Sequence, residues 1–326
     1  MKYVKLGRTG LDVSPLCLGC MSFGDPEGWV HKWALDEEQS RPIIQKALEL
    51  GLNFFDTSNV YSLGRSEEIL GRAIRDFARR DEAVVATKVF WPMREGPNGG
   101  GLSRQAILRE IDNSLKRLGL DYIDLYIIHR WDYDTPIEET MEALHEVVKA
   151  GKARYLGASA MWARQFQKAQ HVADKHGWTR FVSMQNHYNL IYREEEREML
   201  PLCRELGVAS TPYSPLAAGR LSRAWAESTQ RYETDQVAQG KYDSNKNIDK
   251  PVVDRVSELA AKRGLTMTQV SLAWLLHKKP VASPIIGSNK IDHLEDAVKA
   301  VEVSLSAEEI DYLEEPYLPH KIQGHS

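Results

Sequence analysis

The sequence predicts an α/β fold in which eight parallel strands, each followed by a helix, close into a (β/α)8 barrel of the TIM type. Short apolar runs alternate with amphipathic helices along nearly the whole chain, and this pattern indicates parallel strands covered by helices. Eight such units in 326 residues suit one barrel with a single core. A doubly wound open sheet is the rival, but no G-x-G-x-x-G turn follows the first strand. We therefore expect residues 1–326 to form one domain.

A small hairpin is predicted ahead of the barrel, within residues 1–14. Its strands are Lys2–Leu6 and Asp12–Val13, with the turn residues Gly7–Gly10 between them. The eight barrel strands are predicted from β-rich or apolar runs. These runs are Leu16–Gly19, Asn53–Asp56, Ala83–Val89, Tyr122–His129, Tyr155–Ser159, Phe181–Gln185, Val208–Tyr213 and Ser283–Gly287.

Helices are predicted between these runs, and most of them end at a glycine, which readily takes the left-handed conformation that follows a helix. The covering helices are Asp36–Leu50, Ser66–Arg80, Ser103–Leu118, Pro136–Ala150, Ala163–His176, Glu194–Leu206, Lys250–Arg263 and Ile291–Val301. An extra helix, Thr266–Lys279, is expected before the last strand. A further one, Ser306–Leu313, is expected to pack outside the barrel in the C-terminal extension, residues 303–326.

Two connections, Phe90–Leu102 and Leu216–Asp249, are longer than loops in compact domains usually are. Both follow strands, so in a barrel both lie on the C-terminal face, where barrel enzymes have their active sites. We expect the second loop, residues 216–249, to act as a lid over that face. A disordered insertion is the alternative. Gly96–Gly101 is interpreted as a flexible part of the first loop.

Composition and charge exclude several classes of function. A net charge of −4 and a pI near 6.2 do not suggest a nucleic-acid-binding protein. No stretch approaches the length of a membrane span, and no secretion signal is recognised, so a cytoplasmic protein is expected. Cys17 and Cys20 form a C-x-x-C pair, but residues three apart on a strand point to opposite faces, so no metal site is expected. The oligomeric state stays open.

Polar residues at the ends of successive predicted strands suggest one catalytic site. Asp56 ends one strand and Tyr61 follows it closely, while Lys88 and His129 end the next two strands. A lone charge at the mouth of an apolar barrel is costly, so a salt bridge between Asp56 and Lys88 is expected. If Tyr61 lies beside Lys88, the ammonium should lower the pKa of the phenol, which can then protonate a carbonyl oxygen. A buried ion pair without chemistry and a core histidine remain the alternatives.

The chain resembles the aldo-keto reductases, which are NADPH-dependent carbonyl reductases on a (β/α)8 barrel. The resemblance covers nearly the whole sequence and rests on Asn53–Thr57 with Tyr61, on Ser66–Gly71, on Thr87-Lys88 and on Ile128-His129. It implies that Tyr61, Asp56, Lys88 and His129 form the catalytic tetrad. Tyr61 would then be the general acid, Lys88 and Asp56 would tune it, and His129 would orient the substrate.

The same resemblance implies a site for NADP(H). Ser159 and Gln185 would hold the nicotinamide carboxamide, and Tyr213 would stack on the ring. Ala160 stands where the family commonly has asparagine, and Asp296 and Ala297 stand where glutamate and asparagine are common. The expected phosphate contacts are Ser214, Leu216, Gly219 and Arg220, with Gly287, Ser288 and Lys290 at the 2′-phosphate, and with His293 and Asp296 at the adenosine.

Within the family the chain most resembles the bacterial and potassium-channel β-subunit-like branch, including a bacterial member associated with 1-deoxyxylulose 5-phosphate synthesis. The expected function is NADPH-dependent reduction of aldehydes or ketones. A nicotinamide-binding redox sensor or regulatory subunit with slow catalysis is the alternative, and a metal-dependent barrel hydrolase is disfavoured because no H-x-H or H-E-x-x-H motif occurs.

Two features of the sequence bear on the substrate, which is expected to be a small carbonyl compound. Aromatic residues are frequent in the loops after strands, and they suit an aldehyde, including an aryl aldehyde. They are Trp29, Trp33, Trp91, Trp131, Tyr133, Trp162, Tyr188 and Trp225. Arg130, Arg65 and Arg220 offer the alternative of a carboxylate or a sugar phosphate.

Overall fold

Eight parallel strands form the central sheet in the order β10-β3-β4-β5-β6-β7-β8-β9. The computed structural model describes residues 1–29, 31–225 and 235–325. A two-stranded antiparallel hairpin, β1 and β2, precedes the sheet. The strands are β1 Val4–Lys5, β2 Asp12–Val13, β3 Cys17–Gly19, β4 Phe54–Asp56, β5 Val84–Val89, β6 Ile123–Ile128, β7 Ala153–Ser159, β8 Phe181–Gln185, β9 Ala209–Ser210 and β10 Ile285–Gly287.

Hydrogen bonds join the two strands at the ends of this order. The Ile285 amide donates to the Pro212 carbonyl at 2.8 Å, and the Ala282 amide donates to the Ser210 carbonyl at 2.9 Å. The sheet is therefore curled back on itself, as in a (β/α)8 barrel. Every predicted barrel strand is present in the structure, shortened by a few residues in most cases and extended to Ala153 in one.

Apolar side chains form two separate cores, one on each face of the curled sheet. The inner core includes Cys17, Phe54 and Ile127, and the hairpin residues Leu6 and Val13 belong to it, so the hairpin covers the N-terminal end of the barrel. The outer core lies between the strands and the helices. Cys20 belongs to the outer core, so the two cysteines of the C-x-x-C pair face opposite sides, as predicted.

The first six helices are α1 Glu37–Glu49, α2 Arg65–Phe77, α3 Arg104–Leu118, α4 Ile137–Lys149, α5 Ala163–His176 and α6 Met199–Leu206. The later ones are Gln236–Tyr242, Lys246–Arg263, Met267–His277, Ile291–Lys299 and Ala307–Glu314. Side chains cap several of them: Asp36 accepts a hydrogen bond from the Gln39 amide at 2.9 Å, and Ser103 accepts one from the Ala106 amide. None of the described helices is long and apolar enough to cross a membrane.

Two predicted elements differ from the structure. The helix predicted over Glu194–Leu206 is split into a 3-10 turn, Glu194–Glu196, and α6. The acidic side chains of the turn face inward, where Glu194 accepts hydrogen bonds from Tyr317 and His320 and Glu195 accepts one from Asn186.

The second difference concerns the long loop, residues 216–249. Its last part is helical rather than irregular, because the Asp235 side chain caps helix Gln236–Tyr242 by accepting from the Ala238 amide at 3.0 Å. The following helix begins at Lys246 rather than at Lys250. Residues 226–234 of the predicted lid lie outside the described residues.

Candidate active site

The Lys88 ammonium lies at the centre of the polar groups at the C-terminal end of the barrel. β4 and β5 are neighbouring strands, and they bring Lys88 Nζ to 2.5 Å from Asp56 Oδ1. Lys88 also donates to the Thr57 carbonyl oxygen at 2.7 Å and to the Tyr61 hydroxyl at 3.2 Å. The Lys88 side chain is 0% exposed and the Asp56 side chain is 3% exposed. The predicted salt bridge is therefore present, and the predicted acid lies beside it.

A strained turn after β4 positions Tyr61. Ser62 and Leu63 both have left-handed backbones, with φ of 46° and 51°. Such conformations are unfavourable for residues other than glycine and are frequent at functional sites. Ahead of this turn, the Asn59 amide donates to the Lys88 carbonyl oxygen at 3.4 Å and holds the segment after β4 against β5.

The charge states of this pair follow from burial and from Asp56. Burial lowers the pKa of Lys88, but the Asp56 carboxylate and Tyr61 outweigh burial and leave that pKa above its ordinary value. Burial raises the pKa of Tyr61 more than the Lys88 charge lowers it. The predicted lowering of the Tyr61 pKa is thus wrong for this state of the protein, because desolvation of the phenolate is the larger effect. Tyr61 is a neutral phenol that carries its proton.

His129 follows β6 and turns its ring toward Tyr61. The two ring centroids are 5.9 Å apart and the ring planes meet at 81°. His129 Nδ1 lies 3.3 Å from Ser58 Oγ, a contact that the sequence did not predict. Burial, followed by the charges of Lys88 and Arg130, holds the pKa of His129 well below its usual range. The imidazole is therefore neutral and can form hydrogen bonds with a substrate oxygen.

Ser159 and Gln185 lie side by side at the ends of β7 and β8, and both are buried. Ser159 Oγ donates to the Gln185 carbonyl oxygen at 3.1 Å. Gln185 Nε2 donates to Asp56 Oδ2 at 2.9 Å, so this glutamine is connected directly to the ion pair. The sequence predicted that both residues belong to the site, but it did not predict the bond between Gln185 and Asp56.

Tyr213 lies beyond β9 with its ring stacked on His187, at 5.4 Å between centroids and 14° between planes. Lys241 Nζ, from helix Gln236–Tyr242, lies 5.0 Å from the centroid of the Tyr213 ring. Burial raises the pKa of Tyr213 to about 12. Tyr213 is therefore a neutral aromatic surface, and its stacking on a nicotinamide ring stays a prediction.

Comparison with known proteins identifies the family to which this chain belongs. The family model described as "Aldo/keto reductase family" matches residues 15–317. The chain belongs to the aldo/keto reductase family. The chain is therefore an oxidoreductase that acts on carbonyl or alcohol groups, as the resemblance of its sequence implied.

Three relatives come from fungi. Versiconal hemiacetal acetate reductase of Aspergillus parasiticus is 46% identical, over 99% of this chain and 98% of its own length. An aldo-keto reductase of Metarhizium robertsii is 43% identical, over 99% and 93%. A Schizosaccharomyces pombe protein, provisionally named an aryl-alcohol dehydrogenase, is 44% identical, over 99% and 97%. The expected placement with bacterial and channel-β-subunit-like members is not supported by these relatives.

A tight turn after Tyr213 contains several of the residues expected at the phosphates of an aldo/keto reductase cofactor. Ser214, Ala217 and Ala218 have left-handed backbones, with φ of 54°, 49° and 53°, and Gly219 has φ of 91°. Such a run of strained residues is typical of a ligand-binding loop. Among the side chains, Arg220 donates to Asp243 at 3.0 Å. Leu216 opens the 3-10 turn Ala217–Gly219.

The last group of predicted cofactor residues follows β10. Ser288 Oγ donates to the Lys290 carbonyl oxygen at 2.6 Å and so shapes the turn that starts at Gly287. Lys290 is exposed at the start of helix Ile291–Lys299, and His293 is exposed one turn later. Burial, followed by the Lys290 charge, lowers the pKa of His293. This end of the barrel therefore carries an exposed cation at the start of a helix.

Asp296 has a structural role that the sequence did not indicate. Its two carboxylate oxygens accept hydrogen bonds from Thr266 Oγ1 and Gln269 Nε2, both at 2.7 Å. These bonds connect it to the first turn of helix Met267–His277. Its contact with adenosine stays a prediction.

The residues present suit a nicotinamide cofactor at this end of the barrel. The buried Gln185 amide contacts Asp56 of the ion pair and Ser159 contacts Gln185, while Gly287 has open space where a Cβ would stand. Among the residues that the structure describes, no group of three His, Cys, Asp or Glu side chains is placed to hold a metal ion.

Sequence reasoning missed the C-terminal tail as part of the site. Gln323 donates to the Lys241 carbonyl oxygen at 2.9 Å, and the His325 ring lies edge-on to Trp162 at 4.6 Å. A Cβ added to Gly324 would lie 2.3 Å from the Tyr213 hydroxyl, so the tail runs directly past that ring. No motif marks these residues, because their position depends on where a long, irregular segment docks.

Proposed function

We propose that this protein reduces aldehydes or ketones to alcohols with NADPH, and that Tyr61 donates the proton. The observation that supports this proposal is the 3.2 Å bond from the buried Lys88 ammonium to the Tyr61 hydroxyl, with Asp56 on the other side of the ammonium. A phenol that carries its proton, beside a neutral imidazole, suits hydride transfer to a carbonyl group, in which the oxygen needs a proton.

The reduced nicotinamide ring supplies the hydride when it is bound. The side chains of Ser159 and Gln185 would hold its carboxamide, and the Tyr213 ring would cover one face. Gln185 is already oriented by its bond to Asp56 at 2.9 Å. Lys290, exposed beside Ser288, would pair with the 2′-phosphate and so favour NADPH over NADH.

The proton would come from Tyr61. Its pKa is raised by burial, so the phenol is fully protonated at neutral pH and ready to act as an acid. As negative charge develops on the carbonyl oxygen, Tyr61 donates its proton and the phenolate that forms lies next to Lys88. His129 remains neutral and would donate a second hydrogen bond that fixes the position of the oxygen.

Aromatic side chains around Tyr61 support an aromatic carbonyl compound as the substrate. The Trp29 ring lies 6.0 Å from the Tyr61 ring, and the Trp91 ring lies 6.4 Å from the His129 ring. Flat aromatic walls of this kind bind planar ligands well. The name of the Schizosaccharomyces pombe relative refers to aryl alcohols, and this favours the same class.

The proposal can be tested by following NADPH oxidation with a series of aryl aldehydes, alkyl aldehydes, ketones and sugar phosphates. We expect turnover with aryl aldehydes and a near-complete loss of turnover in Tyr61→Phe, with NADPH fluorescence titration showing that the variant still binds the cofactor. Turnover close to that of the wild type in Tyr61→Phe would remove Tyr61 as the acid. Absence of turnover with every carbonyl compound would contradict the proposed function.

A further inference from the structure

Arg130 is a cation at the barrel mouth that forms no ion pair within the described part of the chain. It follows His129, and its Nη1 donates to the His129 carbonyl oxygen at 2.6 Å. Its guanidinium carbon lies 5.7 Å from the centroid of the Trp91 ring. The Trp91 ring also lies 6.4 Å from the His129 ring, which faces Tyr61, so Arg130 lies on the side of the barrel mouth that carries the proposed proton donor. Among the described residues its guanidinium makes one hydrogen bond, so further donors are available to a ligand.

Lys241 is a second cation that approaches the same region from a different part of the chain. Its ammonium lies 5.0 Å from the Tyr213 ring centroid, and within residues 1–29, 31–225 and 235–325 it contacts no carboxylate. Burial, followed by the Arg130 charge, lowers the pKa of Lys241 to about 8, with Asp235 acting weakly in the opposite direction. The Arg130 charge therefore acts on the Lys241 ammonium, which the Tyr213 ring contacts.

The C-terminal tail adds a third titratable group on the same side. His325 packs edge-on against Trp162, and Gln323 connects the tail to the Lys241 backbone. Burial and, to a smaller extent, the Arg130 charge lower the pKa of His325 to about 4. The ring is therefore neutral and needs no counter-ion. Residues 323–325 therefore pack beside Lys241 and Trp162 without adding a charge of their own.

Within the described residues neither cation has a counter-ion, and a partly desolvated cation costs free energy that a bound anion offsets. The residues expected to contact the cofactor phosphates lie on other segments, and Arg220 among them already pairs with Asp243 at 3.0 Å. Arg130, by contrast, is attached to the residue whose ring lies 5.9 Å from Tyr61. An anion at Arg130 therefore belongs to the molecule that Tyr61 protonates.

We infer that Arg130 and Lys241 bind a carboxylate carried by the carbonyl substrate, so that aromatic aldehydes bearing an acid group are preferred over their neutral analogues. This inference rests on the proposed function and specifies its substrate class. Arg130 suits the carboxylate because the guanidinium fork matches its two oxygens, and Lys241 adds a point charge. Trp29 and Trp91 would cover the aromatic ring between the acid group and the reacting carbonyl.

The test compares 4-carboxybenzaldehyde with its methyl ester, which has the same ring and the same aldehyde but no charge. We expect kcat/KM to be about 10-fold or more higher for the carboxylate in the wild type. Arg130→Gln should remove most of this ratio, Lys241→Met should reduce it less, and Arg130→Lys should keep part of it. Arg79→Gln removes an exposed arginine that pairs with Asp81, and it should leave the ratio unchanged.

Binding measured without turnover separates this inference from the proposed function. Calorimetric titration of 4-carboxybenzyl alcohol into the NADPH-saturated protein should show binding that weakens in Arg130→Gln. If neither aldehyde is reduced but this binding depends on Arg130, the proposed function fails and the carboxylate site stands. No preference for the carboxylate in the wild type, or a ratio unchanged in both Arg130→Gln and Lys241→Met, would overturn the inference. A loss of NADPH affinity in Arg130→Gln that lowers kcat/KM equally for both aldehydes would also overturn the inference.

Discussion

Removing the charge of Asp56 should destabilise the protein more than an ordinary surface substitution does. Lys88 is 0% exposed, and the Asp56 carboxylate lies 2.5 Å from its ammonium. Asp56→Asn keeps the size of the side chain but leaves a buried ammonium whose remaining partners are the Thr57 carbonyl and the Tyr61 hydroxyl. Loss of one member of a buried ion pair typically costs about 3–5 kcal/mol. We expect a loss in this range.

A double-mutant cycle with Lys88→Met measures how strongly the two charges interact. Each single variant leaves one buried charge unpaired, whereas the double variant leaves none. The double variant should therefore lose less than the sum of the two single losses, by about 1–3 kcal/mol. Urea unfolding followed by circular dichroism, with the slope compared across the four proteins, gives the free energies of unfolding.

Two outcomes would refute this reasoning. One is a loss below about 1 kcal/mol in Asp56→Asn, which would mean that water or a movement of Lys88 satisfies the ammonium. The other is additivity of the two single losses, which would mean that the two charges do not act as a pair. Arg79→Gln, which breaks an exposed pair with Asp81, is the matched control and should change little.

Two further predictions concern the cofactor and the tail. Lys290→Ala should weaken NADPH binding more than NADH binding in fluorescence titrations, with Lys299→Ala as the control. Equal losses of affinity for the two cofactors would contradict a role for Lys290 at the 2′-phosphate. The buried pair of His320 and Asp249, 2.7 Å apart, should stabilise the protein by about 1–3 kcal/mol while the histidine is charged. Burial lowers the pKa of His320, but Asp249 outweighs burial and raises it above 6.5, so this contribution is complete below pH 6.5 and is lost as pH rises through the raised pKa. The difference in unfolding free energy between the wild type and His320→Gln should therefore be largest near pH 6 and shrink toward pH 9, and a difference that is constant over this range would contradict the ion pair.

Much of the fold follows from patterns within short segments, and these segments were predicted well. Strand β8 and helix α5 have the predicted bounds, because an apolar run and an amphipathic stretch ending at Gly177 are complete local signals. The salt bridge between Asp56 and Lys88 was predictable as well, since neighbouring strand ends of a parallel sheet bring such residues together.

Other features depend on contacts between distant segments and carry no local signal. Gln185 and Asp56 are 129 positions apart, and only the closed sheet brings them within 2.9 Å. The left-handed turn includes Gly64, but its first two residues, Ser62 and Leu63, are types that rarely adopt this conformation, so the sequence does not indicate it there. The direction of the shift in the Tyr61 pKa was predicted wrongly. The sequence indicates that Tyr61 lies near Lys88, but it does not indicate how deeply the phenol is buried.

The proton-donor role of Tyr61 is tested most directly by single-turnover stopped-flow measurement of hydride transfer in Tyr61→Phe. With saturating NADPH and an aryl aldehyde, the decay of NADPH absorbance should be slower than in the wild type by about 10²–10⁴-fold, while the affinity for NADPH is unchanged. A hydride-transfer rate within about tenfold of the wild type, with the cofactor fully bound, would show that another group protonates the carbonyl oxygen.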